Sequence, residues 1–371
     1  MTTRHRFIAA DARDLGCLSA GTVHCVVTSP PYPMIEMWDA CFTHMNGAVA
    51  DALATGDGTT AFELMHLELD RVWRELERVL IDGGIVCLNI GDATRSIAGT
   101  FQLYANHARI LSAFRWLGFQ VLPTVLWRKQ TNAPNKFMGS GMLPPGAYVT
   151  LEHETILILR KGAKRPFDTD TAKALRRESA FFWEERNYWF SDVWFNIKGT
   201  PQELGDLPAR GRSAAFPFEI AHRLVNMFSV KQDTILDPFA GTGTTNVAAA
   251  AAERHSIGVD SDSTLLEFAE SRFVTSKSLV NDRNRHRLED HLEFVRERLR
   301  SGKRLKFRNQ PHDVLCVSAQ ETDLRIRLLA DLTEESGTFV ASYSDMPALQ
   351  KDLPGFEKLI VIPFSIPHRL P

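Results

Sequence analysis

The chain has 371 residues, 44% of them hydrophobic and 24% charged, which is enough to bury a large core in one big domain or in a big domain with a smaller companion. A net charge of -2 excludes a uniformly basic coat and leaves any nucleic-acid contact to local patches. Five cysteines (Cys17, Cys25, Cys41, Cys87, Cys316) without CxxC spacing argue against a disulfide frame or a metal centre and for reduced thiols in a cytoplasmic protein, and no apolar run approaches the roughly 18 residues of a membrane span.

In chain order, apolar runs at residues 6–10 and 23–27 precede a helical pattern over 62–80. A strand at 84–90 follows the turn Asp82-Gly83-Gly84, and a second helix is expected near 102–117. This alternation predicts an α/β fold built on a mostly parallel sheet. Residues 119–127 and 155–160 follow each other without a helix between them, which predicts an antiparallel hairpin at the sheet edge. The stretch 161–212 loses the rhythm and gathers charge, aromatics, Gly and Pro, as an inserted lobe would. Order returns with a helix over 217–228, Pro in its first turn, then a strand at 234–236 and a Gly loop opening an Ala-rich helix. A strand at 256–259 ends on Asp260, and a helix spans 262–273. Beyond residue 277 come an Arg-rich helical segment and short strands at 313–317, 338–342 and 358–362.

Two motifs carry chemistry. Asp237-Pro238-Phe239-Ala240-Gly241-Thr242-Gly243-Thr244-Thr245 follows a strand and opens a helix, the place where ligands collect in α/β sheets and where glycines let them approach the backbone. It lacks the Lys-Ser/Thr of a phosphate loop and the third glycine of the dinucleotide fingerprint, so a nucleoside without pyrophosphate fits best, with Asp260 placed to accept from ribose hydroxyls. A tight turn with Asp260 as a helix cap is the structural alternative. Ser29-Pro30-Pro31-Tyr32 leaves a strand as a stiff turn. Its Ser29 hydroxyl and Pro30 carbonyl are acceptors suited to an exocyclic amine, and hydrogen bonds to them draw that nitrogen toward tetrahedral geometry and free its lone pair. Tyr32 offers a face for stacking. A Pro-Pro turn with an aromatic cap is the bland reading. No cysteine lies in the turn, so direct transfer to nitrogen is expected without a covalent adduct.

With Ser29 to Tyr32 placed before Asp237 to Gly243, the chain resembles the permuted, beta-class DNA amino-methyltransferases over about residues 6–275. The resemblance implies a Rossmann-like methyltransferase sheet and S-adenosyl-L-methionine as donor. Asp11 and Ala12 would meet the cofactor adenine. Thr28, Phe216, Pro217, Asp237, Pro238, Phe239, Gly241, Gly243, Thr244 and Asp260 would shape the remainder of its site. Serine at the head of the catalytic motif implies N4 of cytosine, with N6 of adenine as the alternative and a non-catalytic DNA-binding protein as a more distant one. The division expected is 1–160 for the catalytic part, 161–212 for target recognition, 213–276 for cofactor binding and 277–371 for an accessory α+β region.

Double-stranded DNA is the partner implied, its target base flipped out of the stack. Residues 160–177 hold seven Lys/Arg against two Asp, and residues 281–308 ten against five acidic groups. The resemblance puts Arg128, Lys129 and Asn132 in a segment beside the target base, and Lys161, Lys164, Arg165, Lys198, Arg210 and Arg212 are expected DNA contacts because phosphates need local positive charge. Phe181, Phe182, Trp183, Tyr188, Trp189, Trp194 and Phe195 are expected to form mainly the lobe's own small core. A homodimer and a cognate restriction endonuclease remain open as partners, and nucleoid association is expected if the source is prokaryotic.

Overall fold

The structure is a computed structural model that describes residues 1–129, 139–198 and 216–346. Asn132, Arg210, Arg212 and the strand expected at 358–362 lie outside the described residues. The chain opens with strands β1 (Thr2–Ala9) and β2 (Val23–Thr28), then helices α1 (Asp39–Met45), α2 (Ala48–Ala54) and the long α3 (Gly58–Val79). Strand β3 (Leu80–Ile90) leads into the hairpin β4 (Ala93–Ile97) and β5 (Thr100–Tyr104), followed by α4 (Asn106–Trp116), β6 (Phe119–Arg128) and β7 (His153–Lys161). Next come α5 (Asp170–Glu178), α6 (Trp183–Trp189), β8 (Val193–Trp194), α7 (Phe218–Phe228), β9 (Thr234–Asp237), α8 (Thr244–Ala251) and β10 (His255–Asp260). Helices α9 (Ser263–Val274) and α10 (Lys277–Arg300) precede β11 (Phe307–Asn309), β12 (Val314–Cys316), β13 (Arg327–Glu335) and β14 (Thr338–Asp345).

Among the described residues ten strands form one sheet in the order β13-β14-β1-β10-β9-β2-β3-β7-β6-β8. Strands β1, β10, β9, β2 and β3 run parallel, β7 runs antiparallel between β3 and β6, and β6 thereby returns to the direction of β3. The period of two in each strand sends alternate residues to two separate cores. Val26, Val86 and Leu88 face one with Trp73 of α3 and Phe114 of α4, while Cys25, Val27 and Cys87 face the other with Ile220 and Leu224 of α7. Helix α8 is buried along its whole length, and its alanines let α7, α10 and the sheet approach it closely.

Three features depart from the sequence pattern for tertiary reasons. The helix expected from residue 102 begins at Asn106, because residues 100–104 pair as β5 with β4 and Tyr104 is buried against α3 at Gly58. The stretch 33–60, for which the sequence pattern predicts no element, lies on α3 through the buried Phe42, Val49 and Ala52, and Asp39 holds Arg95 of β4 in a bidentate pair. Of the C-terminal strands, β13 and β14 join the main sheet, with β14 pairing antiparallel to β1 from Thr2↔Ser342 to His5↔Phe339, while β11 and β12 pair only with each other.

The aromatic lobe does not close on a core of its own. Phe182 stacks on His291 of α10 at 3.7 Å and shares a cluster with Leu288, Leu292, Val314 and Ile326. Trp189 sits edge-on to His222 of α7, and Trp194 belongs to the core beside β6 and α7. Helix α10 contributes buried charge to the same junction: Arg287 forks onto Glu185 at 2.6 and 2.9 Å. Arg283 meets Glu219 at 3.0 Å, so this part of the second basic run is engaged within the fold. Arg287→Ala would strand the buried Glu185 carboxylate and should cost about 3–5 kcal/mol in urea unfolding. A loss below about 1 kcal/mol, the level of an exposed pair, would contradict this docking.

Candidate active site

The carboxyl ends of the parallel strands lie along one rim of the sheet. From β1 to β3 they deliver Asp11, Asp260, the Asp237–Gly243 loop, Ser29 and Asn89 in spatial order. The antiparallel β7 brings its first residues to that rim, and β6 its last. The pairs Trp127↔Glu154 and Arg128↔His153 place Glu154 beside the Ser29 turn.

Asp237 shapes the Gly loop from below. Its Oδ1 accepts from Thr28 Oγ1 at 2.7 Å and from the Phe239 amide at 3.1 Å, and its Oδ2 accepts from Thr245 Oγ1 at 2.7 Å. Burial pushes this carboxyl up to about 6 despite those bonds. Gly241 and Gly243 take φ of +50° and +73°, a region that favours glycine. A Cβ on Gly243 would press on Ala269 and Phe7, whereas one on Gly241 would meet only Phe239 O, at 3.9 Å. Arg272 fastens the turn from behind through Thr242 O and the hydroxyls of Thr242 and Thr244. Asp260 accepts one amide on each oxygen, Gly241 N at 2.8 Å and Asp262 N at 3.0 Å, and further lone pairs remain on both. Burial raises the Asp260 carboxyl as well.

On the other side of Ser29 lies a polar cluster inside an apolar wall. Ser29 Oγ is 3.1 Å from Asn89 O and 3.0 Å from Tyr32 OH. Tyr32 OH donates to Glu154 Oε2 at 2.9 Å, and Asn89 Nδ2 donates to both Tyr32 OH (2.9 Å) and Glu154 Oε2 (2.6 Å). Lys129 Nζ, half exposed, closes the cluster on Glu154 Oε1 at 2.8 Å. Burial, with the Glu154 charge second, raises the Tyr32 phenol well above its ordinary value. Asn106 donates to Pro33 O and Gly91 O and so holds the exit of the Pro-Pro turn.

A protein-family model described as DNA methylase, of the N6/N4 methyltransferase type, matches residues 23–271. The chain belongs to this family. It is 49% identical over 327 residues to the Type II methyltransferase M.MthZI of Methanothermobacter thermautotrophicus, covering 88% of this chain and 91% of that one. It is 46% identical over 296 residues to the Type II methyltransferase M.MjaI of Methanocaldococcus jannaschii, covering 76% and 96%. Among solved structures, one assigned as a DNA modification methylase from Thermus thermophilus, complexed with S-adenosyl-L-methionine, is similar with a TM-score of 0.57. That match has 32% identity and covers 73% of this chain and 93% of that one.

Within this DNA methylase the expected site residues divide by place. Ser29, Phe239, Gly241 and Asp260 stay partly accessible at the rim. Pro30, Pro31, Pro238 and Ala12 are buried behind them, and Phe216 and Pro217 are buried at the start of α7. In three places the fold already engages the expected side chains. Thr28 and Asp237, 1% and 3% exposed, bond to each other, so their side chains build the loop. The Asp11 carboxylate is forked by Arg13 at 2.6–3.0 Å, which pulls the acid down and occupies it. Tyr32 is 9% exposed, and a Cβ on Gly91 would lie 2.9 Å from its ring, so one face is already covered.

The expected DNA contacts also divide. Arg128 and Lys129 end β6 at the rim, and exposed Lys198 follows Ile197, whose carbonyl accepts from Trp127 Nε1 at 2.9 Å. Lys161 instead donates to Glu77 O and Leu80 O, and Arg165 to Asp233, which precedes β9. These two, with Lys164 between them, lie at the amino-terminal end of the sheet, away from Ser29, because β7 runs antiparallel. Glu154, Asn89 and Arg272 were missed. The legible signal was a polar residue inside the buried run of β3, and for Glu154 an acid entering an apolar strand.

The raised Asp237 carboxyl has a consequence for stability. Its contribution is complete below the ordinary carboxylate range and is lost as pH rises through about 6, a loss of about 3 kcal/mol for a shift of that size. In Asp237→Asn, Thr245 can accept from the new amide and donate to Val27 O, already 3.1 Å away. Urea unfolding at pH 5 and pH 8 should therefore show the variant gaining on the wild type at the higher pH. Identical pH dependence in the two proteins would contradict the assignment.

Proposed function

We propose that this DNA methyltransferase uses S-adenosyl-L-methionine to methylate N4 of a cytosine flipped out of duplex DNA. The observation that carries the reading is Ser29 at the head of the turn, partly accessible and with partners for its single proton. With that proton directed to Asn89 O or Tyr32 OH, the lone pairs of Ser29 Oγ face outward as acceptors for an exocyclic amine. Its neutral hydroxyl, and the resemblance of Ser29-Pro30-Pro31-Tyr32 to the cytosine-N4 motif, favour cytosine. The amine of adenine would meet the same acceptors, which keeps N6 as the second reading.

The residues present fit the cofactor. Gly241 leaves open space above the loop, and Asp260 retains acceptor capacity for ribose hydroxyls. When bound, S-adenosyl-L-methionine would supply an electrophilic methyl group on its sulfonium, with a neutral thioether as the leaving group. The chain's own part is to position the amine, withdraw its hydrogens into hydrogen bonds and keep the turn stiff. Arg128, which pairs with Glu152 at the surface, and Lys198 would meet phosphates beside the rim. A partner endonuclease reading the same site, and self-association, are extensions of this reading.

Incubation of duplex DNA with labelled cofactor and digestion to nucleosides should yield N4-methylcytosine, while N6-methyladenine would move the assignment to the second reading. Ser29→Ala should slow methyl transfer by about 100-fold or more with cofactor affinity nearly unchanged. Asp260→Ala should weaken cofactor binding by roughly 10- to 100-fold in calorimetry. The reverse pattern would refute these roles.

A further inference from the structure

The polar cluster beside Ser29 contains a line of hydroxyls that ends on a buried carboxylate. Distances of 3.0 Å from Ser29 Oγ to Tyr32 OH and 2.9 Å from Tyr32 OH to Glu154 Oε2 make it continuous. Its direction is set by Asn89. One Nδ2 hydrogen goes to the Tyr32 oxygen and the other to Glu154 Oε2, so Asn89 presents only donors here and the Tyr32 proton is left to Glu154. Each oxygen can then accept from the rim side and donate inward.

We infer that Glu154 is the terminal acceptor of the proton that the target amine sheds, reached through Ser29 Oγ and Tyr32 OH. The inference rests on the methyl-transfer reading above and holds for either base. When the amine nitrogen forms its new bond to carbon it becomes cationic and must lose one proton. That proton passes to Ser29 Oγ as the Ser29 proton moves to the Tyr32 oxygen and the Tyr32 proton to Glu154 Oε2. The two hydroxyls end neutral as they began, the amine charge falls from +1 to 0, and the Glu154 charge rises from -1 to 0. The phenol suits a carrier that never rests as phenolate, since burial and the neighbouring carboxylate keep it protonated. Glu154 is 9% exposed, yet its other oxygen meets the half-exposed Lys129 ammonium. That ammonium compensates the charge before turnover and marks the side from which water restores it.

A purely structural role for Glu154 makes different predictions. Single-turnover methyl transfer to duplex DNA is compared for wild type, Tyr32→Phe, Glu154→Gln, Glu154→Asp and the Tyr32→Phe/Glu154→Gln double variant. Cofactor affinity is measured by calorimetry, and rates are repeated in deuterated water. Each single removal should slow transfer by about 100-fold with cofactor affinity unchanged. The double variant should be no slower than the worse single, Glu154→Asp should recover part of the rate, and the solvent isotope effect of the wild type should vanish in Glu154→Gln. Rates within about threefold of wild type, losses that multiply in the double variant, or a parallel loss of cofactor affinity would overturn the inference. Should Glu154→Gln fail to fold, Tyr32→Phe and Glu154→Asp still decide it by rate and isotope effect. A wild type that methylates no amine of DNA would sink the underlying reading, whereas an active wild type matched by its variants would sink the relay alone.

Discussion

The buried Asp237 carboxylate holds together a site whose halves are 209 residues apart in sequence, at the hydrogen bond from Thr28. One oxygen takes Thr28 at the end of β2 and the amide that starts the Gly loop. The other takes Thr245 in the first turn of α8. Strand pairing alone sets β2 and β9 side by side over two residue pairs, Cys25↔Ile235 and Val26↔Leu236, and leaves their exits free to diverge. The carboxylate fixes both exits at once, so the Ser29 turn and the Gly loop emerge in a set relation. The arrangement carries an electrostatic cost, since burial opposes ionisation and only three hydrogen bonds oppose that burial. A group kept at that cost is worth its place where a reacting nitrogen and a methyl donor must meet in line.

From that clamp the rest of the rim follows by topology. Parallel strands present their carboxyl ends together, so Asp260 falls on one side of the Gly loop and Asn89 on the far side of Ser29. The reversal at β7 matters as much. A further parallel strand would have brought another carboxyl end to the rim, whereas the antiparallel strand brings the beginning of its sequence, His153-Glu154. The same reversal sends Lys161 and the cations after it to the opposite end, where they tie α3 and β9 into the fold.

Much of the fold was legible because its signals are local: apolar periods, Gly-Gly turns, a proline at a helix start, an Ala-rich helix. The two motifs were legible for the same reason, each lying in a short run whose chemistry shows in its side chains. What was not legible depends on pairing. The Thr28 hydroxyl shows no partner until the strand beside it is known, and Asp11 reads as a free acid until Arg13 is seen to fold back on it. Glu154 reads as a strand-end charge until β7 is laid against β6 and β3, and Tyr104 ends a helix prediction only because α3 offers Gly58 beneath it.

Charge counting shows the limit most sharply. Two basic runs had equal excess in sequence, and neither excess predicts where the charge acts. In α10, Arg287 is buried on Glu185 and Arg283 is bound to Glu219, so part of that run fastens the aromatic segment to the body of the protein. After β7, Arg165 is held by Asp233. Among the described residues, the cations at the Ser29 rim are scattered through the sequence: Arg128 and Lys129 at the end of β6, paired with Glu152 and Glu154, and Lys198 beyond β8, which pairs parallel to β6 at Leu126↔Val193 and Trp127↔Trp194. They converge because two neighbouring strands, β6 and β8, run in the same direction and carry both segments to the same rim. For a base drawn out of a duplex, positive charge is useful only where the phosphates flanking that base pass. That location is set by strand direction, not by the density of Lys and Arg along the chain.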